Sequence, residues 1–277
     1  MKKIENLLAP DAAVIKKVIK ESATIKSFEV AFVNKPLQRK LNFLPGRFME
    51  VSVFGFGEMP ISIASSQLKK KSLLLSVNDV GNISHAMHRL KKGDVIGLRG
   101  PYGNGFPLPR FYGKGIVAVA GGCGFAGIRS LLETIELQRG RFGSVDLFYG
   151  TRTEKDLIYK SDLQRWRKKK FGIHVSIDSG KKGKYFVGFV TELIKQTHLN
   201  PRNSVVVFCG PGKMTEFAVD ILIEKGFAEK QMFLSLERLM HCGMGKCAHC
   251  NFGSKYVCIE GPVFRLDEIS HLPWKKE

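Results

Sequence analysis

The residues best suited to chemistry are four cysteines spaced Cys242-x4-Cys247-x2-Cys250-x7-Cys258. A C-x4-C-x2-C run with a further Cys downstream is the spacing of plant-type [2Fe–2S] sites, where a short loop wraps thiolates around one side of a flat cluster. Gly243 and Gly245, between the first two ligands, let the backbone turn tightly and aim N–H groups at sulfur. Such donors raise a cluster's reduction potential by stabilising added negative charge. Four thiolates suit Zn²⁺ equally well in ligand type. Zinc sites usually set two C-x2–4-C pairs across a longer span, however, and the order x4, x2, x7 fits that poorly. His249 is expected at the surface, because a Rieske-type site needs two histidines and four cysteines already suffice.

A second constellation is Ala120-Gly121-Gly122-Cys123-Gly124-Phe125-Ala126-Gly127-Ile128-Arg129. It follows an apolar, strand-like run and opens an amphipathic helix, the context in which a Gly-rich loop binds a dinucleotide. Gly121, Gly122 and Gly124 would let a diphosphate approach backbone N–H groups at the positive helix end; the same glycines would also serve a plain strand-to-helix turn. Cys209-Gly210-Pro211-Gly212 ends a later strand on the same carboxyl edge. Cys209 there is either a small buried hydrophobe or a contact for a nicotinamide ring. Where an NAD-specific fold places an acidic residue, the next strand ends Tyr149-Gly150-Thr151-Arg152-Thr153. Thr151 and Arg152 suit a 2′-phosphate, so either nucleotide stays open. Two weaker segments, Pro60-Ile61-Ser62-Ile63-Ala64-Ser65-Ser66 and Gly81-Asn82-Ile83-Ser84, carry small hydroxyl residues and a Gly near a helix start. Either suits a diphosphate, or a strand end and an N-cap.

These residues need elements to position them. From Ala13 to about Arg99, short β-like runs (Val14-Ile15, Ile25 to Phe32, Arg47 to Phe54, Leu73 to Val77, Val95 to Leu98) suggest a small antiparallel barrel. The punctuation Gly100-Pro101-Tyr102-Gly103-Asn104-Gly105 ends it, which puts a boundary near residue 110. Beyond it, apolar runs Ile116 to Ala120, Val145 to Tyr149, Ile173 to Ile177 and Val205 to Cys209 alternate with helical segments. Ile128, Leu131, Leu132 and Ile135 share one helical face, and Phe217, Ile221 and Leu222 another. That alternation predicts a doubly wound parallel sheet. The expected fold is therefore β plus α/β: an antiparallel barrel over 1–110, a dinucleotide domain over 111–234 and an iron–sulfur segment over 235–277. The last is too small for a core of its own, and a metal centre would supply what the core lacks.

Composition narrows the class. The chain has 277 residues, 44% of them hydrophobic, which excludes disorder. Lys2 and Lys3 are followed by Glu5, Asn6 and Pro10, so no signal-peptide core forms; no apolar run reaches bilayer length, and a soluble cytoplasmic protein is expected. Four of the six cysteines fall between 242 and 258, unlike a secreted disulfide scaffold. The net charge of +19 suits nucleic acid, an anionic membrane surface or an acidic partner. The lysine runs at 69–71 and 168–170 lack the interleaved aromatics of a nucleic-acid motif, so no nucleic acid is expected.

In order, the barrel, the Gly81–Ser84 turn, Gly100-Pro101-Tyr102-Gly103, the Gly121 loop, Cys209-Gly210-Pro211 and the terminal cysteines resemble the ferredoxin–NADP reductase superfamily. The resemblance spans essentially the whole chain. Ser235-Leu236-Glu237-Arg238-Leu239-Met240-His241-Cys242-Gly243-Met244-Gly245-Lys246-Cys247 is similar to the gamma subunits of cytoplasmic nickel–iron hydrogenases and sulfhydrogenases and to the B subunit of anaerobic sulfite reductase. The electron-transfer subunit of dihydroorotate dehydrogenase is a more distant look-alike. The resemblance implies FAD in the barrel, NAD(P)H on the α/β domain, and electrons passed to other redox subunits of a complex. It places Pro60-Ile61-Ser62-Ile63 at the flavin, with Ser62 near N5, and Cys209 by the nicotinamide. In the superfamily's Arg-x-Tyr-Ser motif this chain has Met59-Pro60-Ile61-Ser62, so Ser62 carries over and the Arg and Tyr roles do not. The Pro usual after Gly-x-Gly-x-Ala is Gly127. Alternatives are a dihydroorotate dehydrogenase electron-transfer subunit and, from another class, a zinc-bearing regulatory subunit that binds a dinucleotide without turnover.

Overall fold

The computed structural model describes residues 6, 8–181, 183–272 and 274. Lys2, Lys3 and the outermost residues of the expected first and third segments lie outside them. Strands β1 (Asp11–Lys20), β2 (Ile25–Phe32), β3 (Phe48–Val53), β4 (Gly57–Ser62), β5 (Leu73–Asn78) and β6 (Val95–Tyr102) form an antiparallel sheet in the order β4-β3-β6-β1-β2-β5. A bridge between Ile63 and Leu75 joins its two edges, so the sheet closes on itself. Side-chain alternation explains the curl: Leu73, Leu75 and Val77 point inward with Ala13, Ile15, Met49, Val51 and Val53 to fill one core. Helix α1 (Lys35–Lys40) is a short connection, and α2 (Asn82–Arg89) lays Ala86 and Met87 over that core.

Helix α3 (Leu108–Phe111) leads into the second sheet. It holds β7 (Gly115–Gly121), β8 (Val145–Thr151), β9 (Gly172–Ile177), β10 (Phe186–Val187), β11 (Ser204–Cys209) and β12 (Met232–Ser235). A hairpin follows, β13 (Asn251–Phe252) with β14 (Lys255–Tyr256), and then β15 (Val263–Arg265) returns to the sheet. The order is β10-β9-β8-β7-β11-β12-β15, parallel except for β15. Both faces are covered, as the continuous apolar strands require. Ile116, Ala118 and Ala120 of β7 meet α4 (Phe125–Leu137) and α5 (Lys160–Lys168). Val117 and Val119 join the core of α6 (Val190–Gln196) and α7 (Gly212–Glu224). The strand order reverses between β7 and β11, the place where open α/β sheets bind ligands. No helix among the described residues is long and apolar enough to cross a membrane.

Two expectations need correction. On α7, Leu222 is buried with Ala218 and Val219, but Phe217 is 60% exposed. The helix rotates small residues onto the sheet and turns Phe217 outward. The C-terminal segment also has more core than its length implies, because it borrows one. Met240, Phe252, Val257, Phe264, Leu266 and Ile269 pack into the cluster of Val206, Phe208 and Met232, with α8 (Leu266–Ile269) against the sheet edge.

Barrel and α/β unit are bolted together along α4. Arg129 Nε donates to Asp162 Oδ2 at 2.6 Å, and its Nη1 to the Ala64 carbonyl at 2.6 Å. Glu133 accepts from the Ser66 N–H at 2.7 Å, and the Ser130 hydroxyl accepts from the Gly46 N–H at 3.2 Å. Arg129 and Glu133 are both buried, so neither charge could stay there unpaired.

Candidate functional site

Ser62 and Cys209, far apart in sequence, meet at Gly127. A Cβ built on Gly127 would lie 2.7 Å from Cys209 Sγ and 3.7 Å from Ser62 Oγ. Three elements thus converge: the end of β4, the end of β11 and the first turn of α4. A residue larger than Gly at 127 would collide with the thiol, which accounts for the glycine where a proline is usual. The neighbouring glycines make similar close approaches. A Cβ on Gly124 would sit 2.6 Å from the Cys209 carbonyl oxygen, and one on Gly121 2.6 Å from Pro211 Cδ. Gly210, at φ +159°, would bring a Cβ 2.7 Å from the Gly121 nitrogen. Gly121, Gly124, Gly210 and Pro211 therefore interlock two strand ends into one floor. Gly122, at φ +52°, faces open space. Burial pushes the Cys209 thiol well above its ordinary range, and the Glu237 carboxylate pushes the same way; hydrogen bonds from Ser235 and the Gly127 backbone oppose them. Cys209 is a neutral thiol in this setting.

At the end of β8, on the same edge, the Thr151 hydroxyl donates to the Thr153 carbonyl at 3.0 Å, while Arg152 is exposed. In β4 Ile61 packs on the barrel core, and Ile63 just after the strand is fully buried in it, so these two offer only their backbone outward; Pro60 and Ser62 alternate to the other face. At α2, Ser84 is occupied in capping its own helix by accepting from the Gly81 N–H at 2.9 Å, and Ile83 packs against the barrel. Gly81 and Asn82 stay exposed. Ile83 also touches β4, since a Cβ on Gly57 would come 3.0 Å from Ile83 Cδ1. The two weak sequence segments are thus neighbours.

The four cysteines meet as pairs. Cys250 Sγ lies 3.2 Å from Cys258 Sγ, and Cys242 Sγ accepts the Cys247 N–H at 3.4 Å. Further N–H groups point at sulfur, from Met244 (3.4 Å) and Lys246 (3.2 Å) to Cys242 and from Gly245 (3.1 Å) to Cys258. Gly243 and Gly245 hold φ of +72° and +73°, the left-handed backbone this turn requires. Backbone N–H groups of His249 and Cys242 bring the Cys247 thiol down to about 7. Cys247 and His249 are exposed, whereas Cys250 and Cys258 are buried. Among the described residues, no three His, Cys, Asp or Glu side chains gather around a single-ion point. Sulfurs brought together with N–H donors between them suit an iron–sulfur centre.

Sequence reading missed what lies beneath this loop. Gly100 to Gly105 reads as an ending, yet it is a platform. Arg99 donates to the His241 and Cys242 carbonyls at 3.1 and 2.9 Å. Asn104 Nδ2 donates to the Glu260 and Val263 carbonyls at 2.6 and 2.7 Å. Glu50, wholly buried beside Arg99, has no hydrogen-bond partner for either carboxylate oxygen. Burial pushes it from 4.5 to about 7 despite Arg99, with Glu58 adding to the rise. For Glu58, burial acts upward too, but hydrogen bonds from Arg99 and Ser52 outweigh it and hold the carboxyl below its usual range.

The arrangement is that of the ferredoxin–NADP reductase fold carrying a terminal iron–sulfur segment. Over all of this chain and 92% of the other, the structure is similar (TM-score 0.76, 21% identity) to a chain of the NADH-dependent reduced ferredoxin–NADP oxidoreductase solved in work on flavin-based electron bifurcation. Residues 118–220 match the oxidoreductase NAD-binding domain, and residues 237–270 match the iron–sulfur cluster binding domain of dihydroorotate dehydrogenase B. The gamma subunit of sulfhydrogenase 2 from Pyrococcus furiosus is 34% identical over 86% of this chain and 88% of that protein. A probable electron-transfer subunit of NAD⁺-linked dihydroorotate dehydrogenase B from Methanocaldococcus jannaschii is 33% identical over 93% and 90%. The chain belongs to the family of oxidoreductase electron-transfer subunits that holds both.

Proposed function

We propose that this chain carries electrons between NAD(P)H and a partner redox subunit of hydrogenase, sulfhydrogenase or anaerobic sulfite reductase type, by way of FAD and a [2Fe–2S] cluster. The observation that carries the reading is the convergence of Ser62, Gly127 and Cys209 where barrel and α/β sheet meet. One cofactor held by β4 and another held at the β7–β11 edge would face each other there. FAD, when bound, exchanges hydride with a nicotinamide and single electrons with an iron–sulfur centre. The chain's own residues supply position. Ser62 offers a hydroxyl from the barrel, the Gly121–Gly124 turn offers N–H groups at the start of α4, and the neutral Cys209 fills the floor without placing a charge beside a hydride path. Arg152 is the exposed cation for a nucleotide phosphate. With Met59 in place of arginine, Arg47 supports the barrel end: its carbonyl accepts from the Ile63 N–H at 2.9 Å, and its buried Nε has no partner. Cys242, Cys247, Cys250 and Cys258 fit the cluster as two thiol pairs, and exposed Cys247 marks the side where a partner would approach.

A second reading, in which the partner is a dihydroorotate dehydrogenase catalytic subunit, is favoured by the match of residues 237–270. Both readings require the same cofactors. Anaerobically purified chain should show flavin and iron–sulfur absorption and about two irons; Cys247→Ser should lose the cluster's paramagnetic resonance and keep the flavin. Stoichiometric zinc without iron would mean that the electron-exit site is wrong, and copurifying subunits would decide between partners.

A further inference from the structure

Arg99 is an expensive residue to bury. Its side chain is 2% exposed, and a guanidinium is tolerated there only where its donors are met. Here every donor is met. Nε donates to Glu58 Oε1 at 3.1 Å; Nη2 donates to Glu58 Oε2 at 2.5 Å and to the His241 carbonyl at 3.1 Å. Nη1 donates to the Tyr102 hydroxyl at 3.1 Å and to the Cys242 carbonyl at 2.9 Å. These bonds use all five N–H groups and leave the fork no second orientation. Two of them end on the peptides at and before the first cysteine. The loop's next residue lies flat on the same support: a Cβ on Gly243 would come 2.8 Å from the Tyr102 ring and 3.2 Å from Glu50 Cγ.

The opposite end of the cysteine segment rests on the same barrel exit. Besides its two side-chain donations, Asn104 sends its backbone N–H to the Gly261 carbonyl at 2.6 Å and accepts the Val263 N–H at 3.2 Å. Asn104 is neutral and Arg99 is charged, and that difference separates two tasks. Holding a loop needs hydrogen bonds alone. A fixed positive charge one peptide from a thiolate ligand also stabilises any negative charge added to that site, and net charge and hydrogen bonding are the levers that set iron–sulfur potentials.

We infer that the barrel exit Arg99–Asn104 is the cradle of the cysteine segment, and that Arg99 is a positioning residue whose guanidinium, tempered by Glu58, also sets the reduction potential of the centre. The inference rests on the reading that the four cysteines hold an iron–sulfur cluster. The test is a redox titration of anaerobically purified full-length chain, followed by electron paramagnetic resonance after iron analysis. Iron-free wild-type protein would overturn the cluster reading itself. In iron-loaded protein, Arg99→Gln should lower the potential by about 59 mV or more, a tenfold change in a one-electron equilibrium. Glu58→Gln, which removes the carboxylate hydrogen-bonded to the guanidinium and is the variant to rely on should Arg99→Gln not fold, should raise it. Asn104→Ala should lose iron faster to a chelator with its potential unmoved. Iron-loaded Arg99→Gln or Glu58→Gln with the wild-type potential, or Asn104→Ala with a shift as large as theirs, would overturn the role given to Arg99.

Discussion

At the scale of single residues, the fold depends on positions whose close surroundings set what they can hold. Gly127 is one. Gly127→Ala would drive a methyl to 2.7 Å from Cys209 Sγ and should cost about 1–3 kcal/mol. Adding Cys209→Ala should recover most of it, so a double-mutant cycle in thermal unfolding should show strong coupling; simple additivity would mean that the two do not touch. Glu50 is another. Its folded-state value near 7 lies above the 4.5 of the free side chain, so the unfolded chain ionises first as pH rises. Stability should therefore fall between about pH 4.5 and 7, by roughly 3 kcal/mol, and level off above. Glu50→Gln should flatten that decline, which unfolding curves at pH 5 and pH 8 would reveal; an unchanged decline would place its origin elsewhere. The cysteines were legible because ligand spacing is local. Arg99 was not, since the cysteine-loop carbonyls it meets lie 142 and 143 positions away and an arginine within a strand carries no mark of what it will meet.

At the scale of elements, legibility followed the strength of periodicity. β2, β7, β8, β9 and β11 are apolar runs whose burial their sequence announces. β4, the strand that bears Ser62, carries Pro60 and is only half-buried, so its end reads equally as a strand end or as a diphosphate contact. β10 has two residues and β15 three, too short for any period, and β15 is fixed by pairing with β12. That pairing is why the cysteine segment has a core despite its length. Helix α4 was read as amphipathic, but its second role, as the bolt to the barrel, depends on tertiary partners. Arg129→Gln leaves Asp162 to Arg165 and Glu133 to Lys69, both partly exposed cations, and should cost about 1–3 kcal/mol. Calorimetry should show a fall in unfolding temperature; a loss below 1 kcal/mol would mean that α4 is held mainly by its apolar face.

At the scale of the whole molecule, the proposed function uses three places as one path: the strand-end floor at Gly121–Gly127 and Cys209, the outer barrel face at Ser62, and the cysteine loop seated on Arg99. Barrel and α/β unit are joined by buried hydrogen bonds to Arg129, Ser130 and Glu133, which suits a relay whose stations keep fixed distances. The surplus of positive charge, +19 over the chain, would steer an acidic partner toward it, with association weakening as salt rises. In the proposed function the nucleotide meets one end of this path and the partner the other, with the cluster at the partner's end. The direct measurement is anaerobic stopped-flow mixing of the purified chain with NADH and, separately, with NADPH, with bound flavin absorbance and cluster resonance followed in time. The proposed order of stations requires that at least one nucleotide bleaches the flavin, that the cluster signal follows, and that Cys247→Ser keeps the bleaching and loses the signal. Bound flavin that neither nucleotide reduces under strict anaerobiosis would contradict it.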